Sequence, residues 1–187
     1  MDEIANSNNR LDGLIAAAGV NHVECALDHT PKTVDKIVHI NYSGVFRSAV
    51  AAARVMMDRK CRGSILLVAS MSGLIANKGM SSAIYNSSKG AVVQLGRSLA
   101  MEWSEFCEDG RGGIRVNTLC PGHIETPMVN KIMAEDPETR VTWESENMMK
   151  RLARPEEFRG VTLLLMSDAS SFMTGSTVVA DGGHTAW

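Results

Sequence analysis

Apolar residues along the chain gather in two alternating kinds of segment. Short unbroken runs are bounded by glycine or proline, and between them lie longer stretches with apolar residues three and four apart. "LDGLIAAAG", closed by Gly19, is a run of the first kind and predicts a buried strand. "GSILLVAS" predicts a second strand, "GGIRVNTLC", broken by Pro121 and Gly122, a third, and "GSTVVADGG" the last. Helical spacing runs from Pro31 to about Lys60, with Thr30 placed to cap it and Pro31 suited to a first turn. A second long helix is predicted from about Ser82 to Ser104, where Val92, Leu95, Leu99 and Trp103 recur at intervals of three and four. The region from Met128 to Arg154 is polar, Met-rich and weakly periodic, so a lid and a pair of short helices both stay open. "RPEEFRGVTLLLMSDA" predicts a helix opened by proline. Strands that are apolar throughout and alternate with helices imply an α/β fold, a doubly wound parallel sheet covered on both faces.

Composition narrows the function classes. The 187 residues fit a single domain spanning 1–187, and no repeat or linker divides them. A net charge of -2 offers no electrostatic footprint for nucleic acid or an anionic membrane, and neither is expected as a partner. No apolar run approaches the roughly 18 residues of a membrane helix, and the opening "MDEIANSNNRLDG" lacks the regions of a signal peptide. A cytoplasmic protein is the expectation. Cys25, Cys61, Cys107 and Cys120 form no C-x-x-C pair, and the five histidines show no ligand spacing, so no metal is expected.

Ligands of open parallel sheets bind outside the carboxyl ends of the strands. That rule selects Ala17, Ala18 and Gly19 after the first strand, Ser70, Met71 and Ser72 after the second, and Pro121, Gly122 and Ile124 after the third. Their small or hydroxyl side chains let a ligand come close to the backbone. The helix after the second strand carries Tyr85 and Lys89, four residues apart and hence on one face. A free phenol has a pKa of about 10. An ammonium one turn away is expected to lower it toward the range of acid and base catalysis, and a nearby serine hydroxyl would hold a carbonyl or alcohol oxygen in reach. Ser70 and Ser72, fifteen and thirteen residues before Tyr85, both qualify. The strand end favours Ser70 and leaves Ser72 as a turn hydroxyl.

These residues resemble the short-chain dehydrogenase/reductase family. Tyr85 and Lys89 fit its Y-x-x-x-K signature, Ser70 in "VASMSG" its catalytic serine, and Asn41 in "HINYSGVF" its helical asparagine. "AAAG" resembles the family's N-N-A-G motif, "PGHIET" its P-G-x-I-x-T motif, and "MTGSTVVADGG" its closing strand. "SMSG" and "YNSSK" are most similar to the fungal and yeast sorbose, mannitol and carbonyl reductases. The resemblance implies a Rossmann-type fold and hydride transfer between NAD or NADP and a small-molecule carbonyl or alcohol. It makes Tyr85 the general acid or base, and Lys89 the group that tunes it and holds the nicotinamide ribose. Ser70 would orient the substrate oxygen, and Asn41 would organise a water relay to the lysine. Gly19, Ala17, Pro121, Gly122, Ile124 and Thr126, with Tyr85 and Lys89, would face the cofactor. The two long helices resemble those that build homodimers or homotetramers in the family.

The family's opening strand, glycine-rich loop and helix, which hold the pyrophosphate, have no counterpart in the sequence. "DGRGG" leads into a strand and reads as a turn. The sequence therefore reads as an N-terminally truncated family domain with an unpaired edge and weakened cofactor affinity. Three readings stay open: an incomplete form of an ordinary reductase, with Met1 internal; a nicotinamide-independent isomerase, dehydratase or lyase using Ser70 and Tyr85; and a non-catalytic assembly subunit. His123 reads as a loop residue. Met128, Met133, Met148, Met149 and Trp143 are consistent with either a pocket lining or core filling. Glu135, Asp136 and Glu138 read as a solvated turn.

Overall fold

A computed structural model describes residues 1–135 and 138–187. Asp136, of the predicted acidic turn, lies outside the described residues. The chain opens on a seven-residue helix, α1 (Asp2–Asn8), too short to leave a periodic signature, and held by Arg59 through Asn6 Oδ1 at 2.6 Å and Asn9 Oδ1 at 2.7 Å. Strand β1 (Gly13–Ala16) follows, then α2 (Pro31–Val38) and α3 (Val45–Asp58), joined without a break by a π-helical turn over His39–Gly44. Next come β2 (Ser64–Val68), α4 (Ala83–Trp103) and β3 (Arg115–Pro121). The Met-rich region forms two short helices, α5 (Pro127–Glu135) and α6 (Glu138–Ser145). Helix α7 (Arg159–Met166), entered through a 3-10 turn at Pro155–Phe158, leads to β4 (Thr177–Ala180).

Among the described residues the four strands pair in parallel, in the order β1-β2-β3-β4. Because side chains alternate across a strand, Ile65, Leu67, Val116 and Cys120 face one layer, where they meet Ala49, Ala52 and Met56 of α3 and Val92, Leu95 and Leu99 of α4. Leu66 and Leu119 face the other layer and meet Leu165 of α7. Helices on both faces make the sheet doubly wound, and they require strands without polar alternation. Thr30 caps α2 as its sequence implies, its hydroxyl accepting from Thr33 N at 3.2 Å. Arg115 holds the far end of α7 by donating to Leu165 O, Ser167 O and Ser170 Oγ. In "DGRGG", Gly110, Gly112 and Gly113 adopt φ of 86°, 85° and 68°, closing a turn in which Cys107 N donates to Arg111 O at 2.9 Å. Among the described residues, no helix is long and apolar enough to cross a membrane.

Candidate active site

Parallel pairing brings the carboxyl ends of all four strands to one edge. Beyond β2 the chain turns at Ser70, whose hydroxyl accepts from Ser72 N at 3.1 Å and caps a 3-10 turn over Met71–Gly73. Ser72 is engaged elsewhere, accepting from Asn77 Nδ2 at 2.7 Å. The turn lies against the second turn of α4 because two glycines permit it. A Cβ added to Gly73 would stand 2.7 Å from both Gly90 N and the Lys89 carbonyl carbon, where no atom can yield. Gly73→Ala is expected to cost about 1–3 kcal/mol by overpacking, read as a lower urea midpoint with an unchanged m-value. It would also push Ser70 and Lys89 apart.

Tyr85 is half-buried and Lys89 almost wholly so. The Lys89 ammonium lies 5.8 Å from the Tyr85 ring centroid and donates to Val68 O at 2.9 Å. Helical spacing does bring the two side chains to one face. The electrostatic expectation is corrected. Burial, the larger influence, pushes the Tyr85 phenol above its ordinary value, and the Ser70 hydroxyl beside it pulls it partly back. The ammonium does not depress the phenol, since it points at the end of β2. Lys89 is itself lowered to about 8, chiefly by burial, with Cys120 acting in the opposite sense. Burial also drives the Cys120 thiol up to about 11, which keeps it neutral near pH 7.

Asn41 sits within the π-helical turn, fully buried. A π-turn is uncommon and typically marks a functional position. Its carboxamide accepts from Val20 N at 2.8 Å and donates to Val20 O at 2.9 Å and to Ser88 Oγ at 3.0 Å; Ser88 Oγ in turn donates to Tyr85 O at 2.7 Å. The side chain thus splints the loop after β1 to α4. Ser88 was not singled out in the sequence, although a serine bonding back to a carbonyl three residues earlier is a common helical habit. Gly19 lies beside the same group, and a Cβ there would meet Lys89 Nζ at 3.2 Å and Asn41 Oδ1 at 3.5 Å. Ala17 and Ala18, at the end of β1, are exposed.

Pro121 does not break β3 but is its last residue, paired with Ala180; past it Gly122, His123 and Ile124 form a loop anchored to the 151–154 segment, with Glu125 N donating to Ala153 O and Ala153 N to His123 O, both at 2.9 Å. Gly122 packs on Asp181, where an added Cβ would stand 2.7 Å from its Cα. Thr126 Oγ1 accepts from Val129 N at 3.4 Å, so it borders the first turn of α5 and keeps its own O–H to donate. His123 is more than a loop residue. It stacks on Trp143 at 3.9 Å with an interplanar angle of 7° and meets His184 edge-on at 5.4 Å. Burial, aided by His184, lowers it to about 3, so the ring is neutral near pH 7. Trp143 also walls a cleft with Val23, Met80, Ile132 and Thr142, between the loop after β1 and helices α5 and α6.

The family described as enoyl-(acyl carrier protein) reductase matches residues 1–185. The ribulose-forming D-arabinitol 2-dehydrogenase of Candida tropicalis is 41% identical over 175 residues, covering 93% of this chain and 60% of that protein. The chain belongs to the short-chain dehydrogenase/reductase family. Two solved structures show the same fold over the whole chain. A short-chain type dehydrogenase/reductase from Mycobacterium marinum superposes with a TM-score of 0.91 at 37% identity, over 100% of this chain and 69% of the other. A gluconate 5-dehydrogenase from Burkholderia cenocepacia J2315, in complex with NADP and tartrate, gives 0.89 at 29% identity, over 100% and 69%. This family member spans about 60% of the length of the curated relatives it matches.

Proposed function

We propose that the chain carries the catalytic groups of an NAD(P)-dependent oxidoreductase that interconverts a polyol or sugar alcohol with its ketose. The observation that carries this reading is the meeting of Ser70, Tyr85 and Lys89 at the carboxyl edge of the sheet, with Ser70 beside the phenol. The likeness to an arabinitol dehydrogenase and to a gluconate dehydrogenase points to polyhydroxylated substrates.

The residues at this edge suit a nicotinamide nucleoside. An ammonium has three N–H donors, and Lys89 directs one to Val68 O, which leaves two for the hydroxyls of a ribose. The absent Cβ at Gly19 keeps the space beside that ammonium open. Ala17, Pro121, Gly122, Ile124 and Thr126 line the approach, the Thr126 O–H being a donor for a carboxamide or phosphate oxygen. The nicotinamide, when bound, supplies or accepts the hydride. In reduction, Ser70 donates a hydrogen bond to the ketose oxygen and Tyr85 delivers its proton to that oxygen. In oxidation, the Tyr85 phenolate removes the hydroxyl proton. A phenol raised by burial is fully protonated at neutral pH, which suits the reductive direction.

The test is a fluorescence titration with NADH and NADPH, followed by assay of D-arabinitol and galactitol oxidation through formation of reduced nicotinamide. Saturable cofactor binding and polyol-dependent reduction are expected. A protein that binds neither cofactor, yet isomerises or dehydrates a sugar, would overturn the assignment in favour of proton-transfer chemistry alone.

A further inference from the structure

The histidines lack ligand spacing along the sequence, yet the loop after β1 folds three donors onto one point. His22 Nε2 and His29 Nδ1 approach the same Glu24 oxygen, Oε2, at 3.3 Å and 3.2 Å. All three donor groups lie within 4.8 Å of one another. The two imidazole rings stand 5.8 Å apart and tilted by 55°, so they converge without stacking. The His29 side chain is only 3% exposed, and among the described residues neither of its ring nitrogens has a hydrogen-bond partner. Its Nδ1 is close enough to the carboxylate for a hydrogen bond but is wrongly directed for one.

A lone pair offered to a shared third party explains that geometry. Around a tetrahedral cation with bonds of about 2.0–2.2 Å, donor atoms stand roughly 3.3–3.6 Å apart. Both histidine–carboxylate edges come within about 0.1 Å of that length. We propose that His22, Glu24 and His29 form a three-donor site for a borderline divalent cation of the zinc type, with water completing the tetrahedron. Two imidazoles and one carboxylate favour zinc over calcium or magnesium, which prefer all-oxygen shells.

The site clamps a loop. Its flanks are already tied down, by Asn41 at Val20 and by Glu24 N donating to Ser81 O at 2.9 Å, while Val23 between them walls the cleft beside Trp143. The cation would tie the middle of this wall to His29, next to the cap of α2. It touches none of Ser70, Tyr85 or Lys89, so the proposal stands or falls apart from the assigned reaction.

The experiment is a zinc titration of the metal-free protein against a chromophoric chelator, repeated with cobalt(II) to read geometry from its visible bands. One equivalent should bind, with tetrahedral cobalt bands, and zinc should raise the melting temperature. His22→Gln removes a donor on a half-exposed ring without disturbing the core. It should weaken zinc binding by at least about tenfold to a hundredfold, the loss that follows even from damaging a metal site's outer partners. Glu24→Gln should act in the same direction, whereas Cys25→Ser should leave affinity unchanged. No binding by the unmodified protein, equal binding by His22→Gln, or a thiolate-to-cobalt band that vanishes in Cys25→Ser would each overturn the site.

Discussion

Tyr85→Phe is expected to lower kcat for the proposed ketose reduction by about a hundredfold to ten-thousandfold, the contribution typical of a positioned general acid. The phenyl ring remains, so packing against Ser70 and the adjacent cleft is kept, and stability should change by less than about 1.5 kcal/mol. KM for the ketose should move little, because Ser70 still meets its oxygen. Steady-state kinetics on the protein as its source expresses it, paired with urea unfolding, separates the two effects. Retention of kcat in the variant would remove the phenol from the reaction. The direction of the phenol's shift also fixes the pH dependence. A raised pKa leaves the acid form dominant across neutral pH, so reduction should be flat from pH 6 to about 7.5. Oxidation needs the phenolate, and its rate should climb about tenfold per pH unit through the same range. Above pH 8, loss of the Lys89 proton is expected to blunt both directions.

Lys89→Met should separate stability from activity. Burial brings the ammonium from its ordinary 10.5 to about 8, a difference worth about 3 kcal/mol. The sign follows from proton binding. Between pH 8 and 10.5 the unfolded chain holds this proton and the folded chain does not, so stability rises with pH across that window. The cost of burying the charge is present in full below pH 8. Methionine fills a similar volume without charge, at the loss of one hydrogen bond to Val68 O. The variant is therefore expected to gain about 1–2 kcal/mol at pH 7, with the gain shrinking toward pH 10, while turnover falls by at least about a hundredfold. Urea unfolding at pH 7 and 9.5 reads the first effect and nicotinamide absorbance the second. Equal destabilisation at both pH values would show that the folded protein compensates the buried charge.

That Tyr85, Lys89 and Ser70 meet at one edge of the sheet is legible from spacing: four residues on a helix share a face, and a serine closing an apolar run stands at the edge where parallel strands expose ligands. The sign of the phenol's pKa is not legible, because it depends on how much water the fold removes and where the ammonium points. Spacing alone led to an expected depression, and burial reversed it.

The long helices were legible at nearly their observed limits, since Thr30, Pro31 and the three-and-four apolar spacing are local signals. The π-helical turn at His39–Gly44 was not, because its one extra residue per turn is stabilised by Asn41 reaching Val20, 21 positions away. Likewise His123 gains its partners Trp143 and His184 from distant segments. His22, Glu24 and His29 look unrelated in order and converge only when the loop folds back on itself.

By itself the sequence determined the alternation of strands and helices, the edge at which the strands end, and the meeting there of Ser70, Tyr85 and Lys89. Each of these is a matter of periodicity or of a residue ending an element. The tertiary structure alone decided which way burial moves each proton and which polar groups meet across the loops. Solvent exclusion and long-range contacts have no period for a sequence to display.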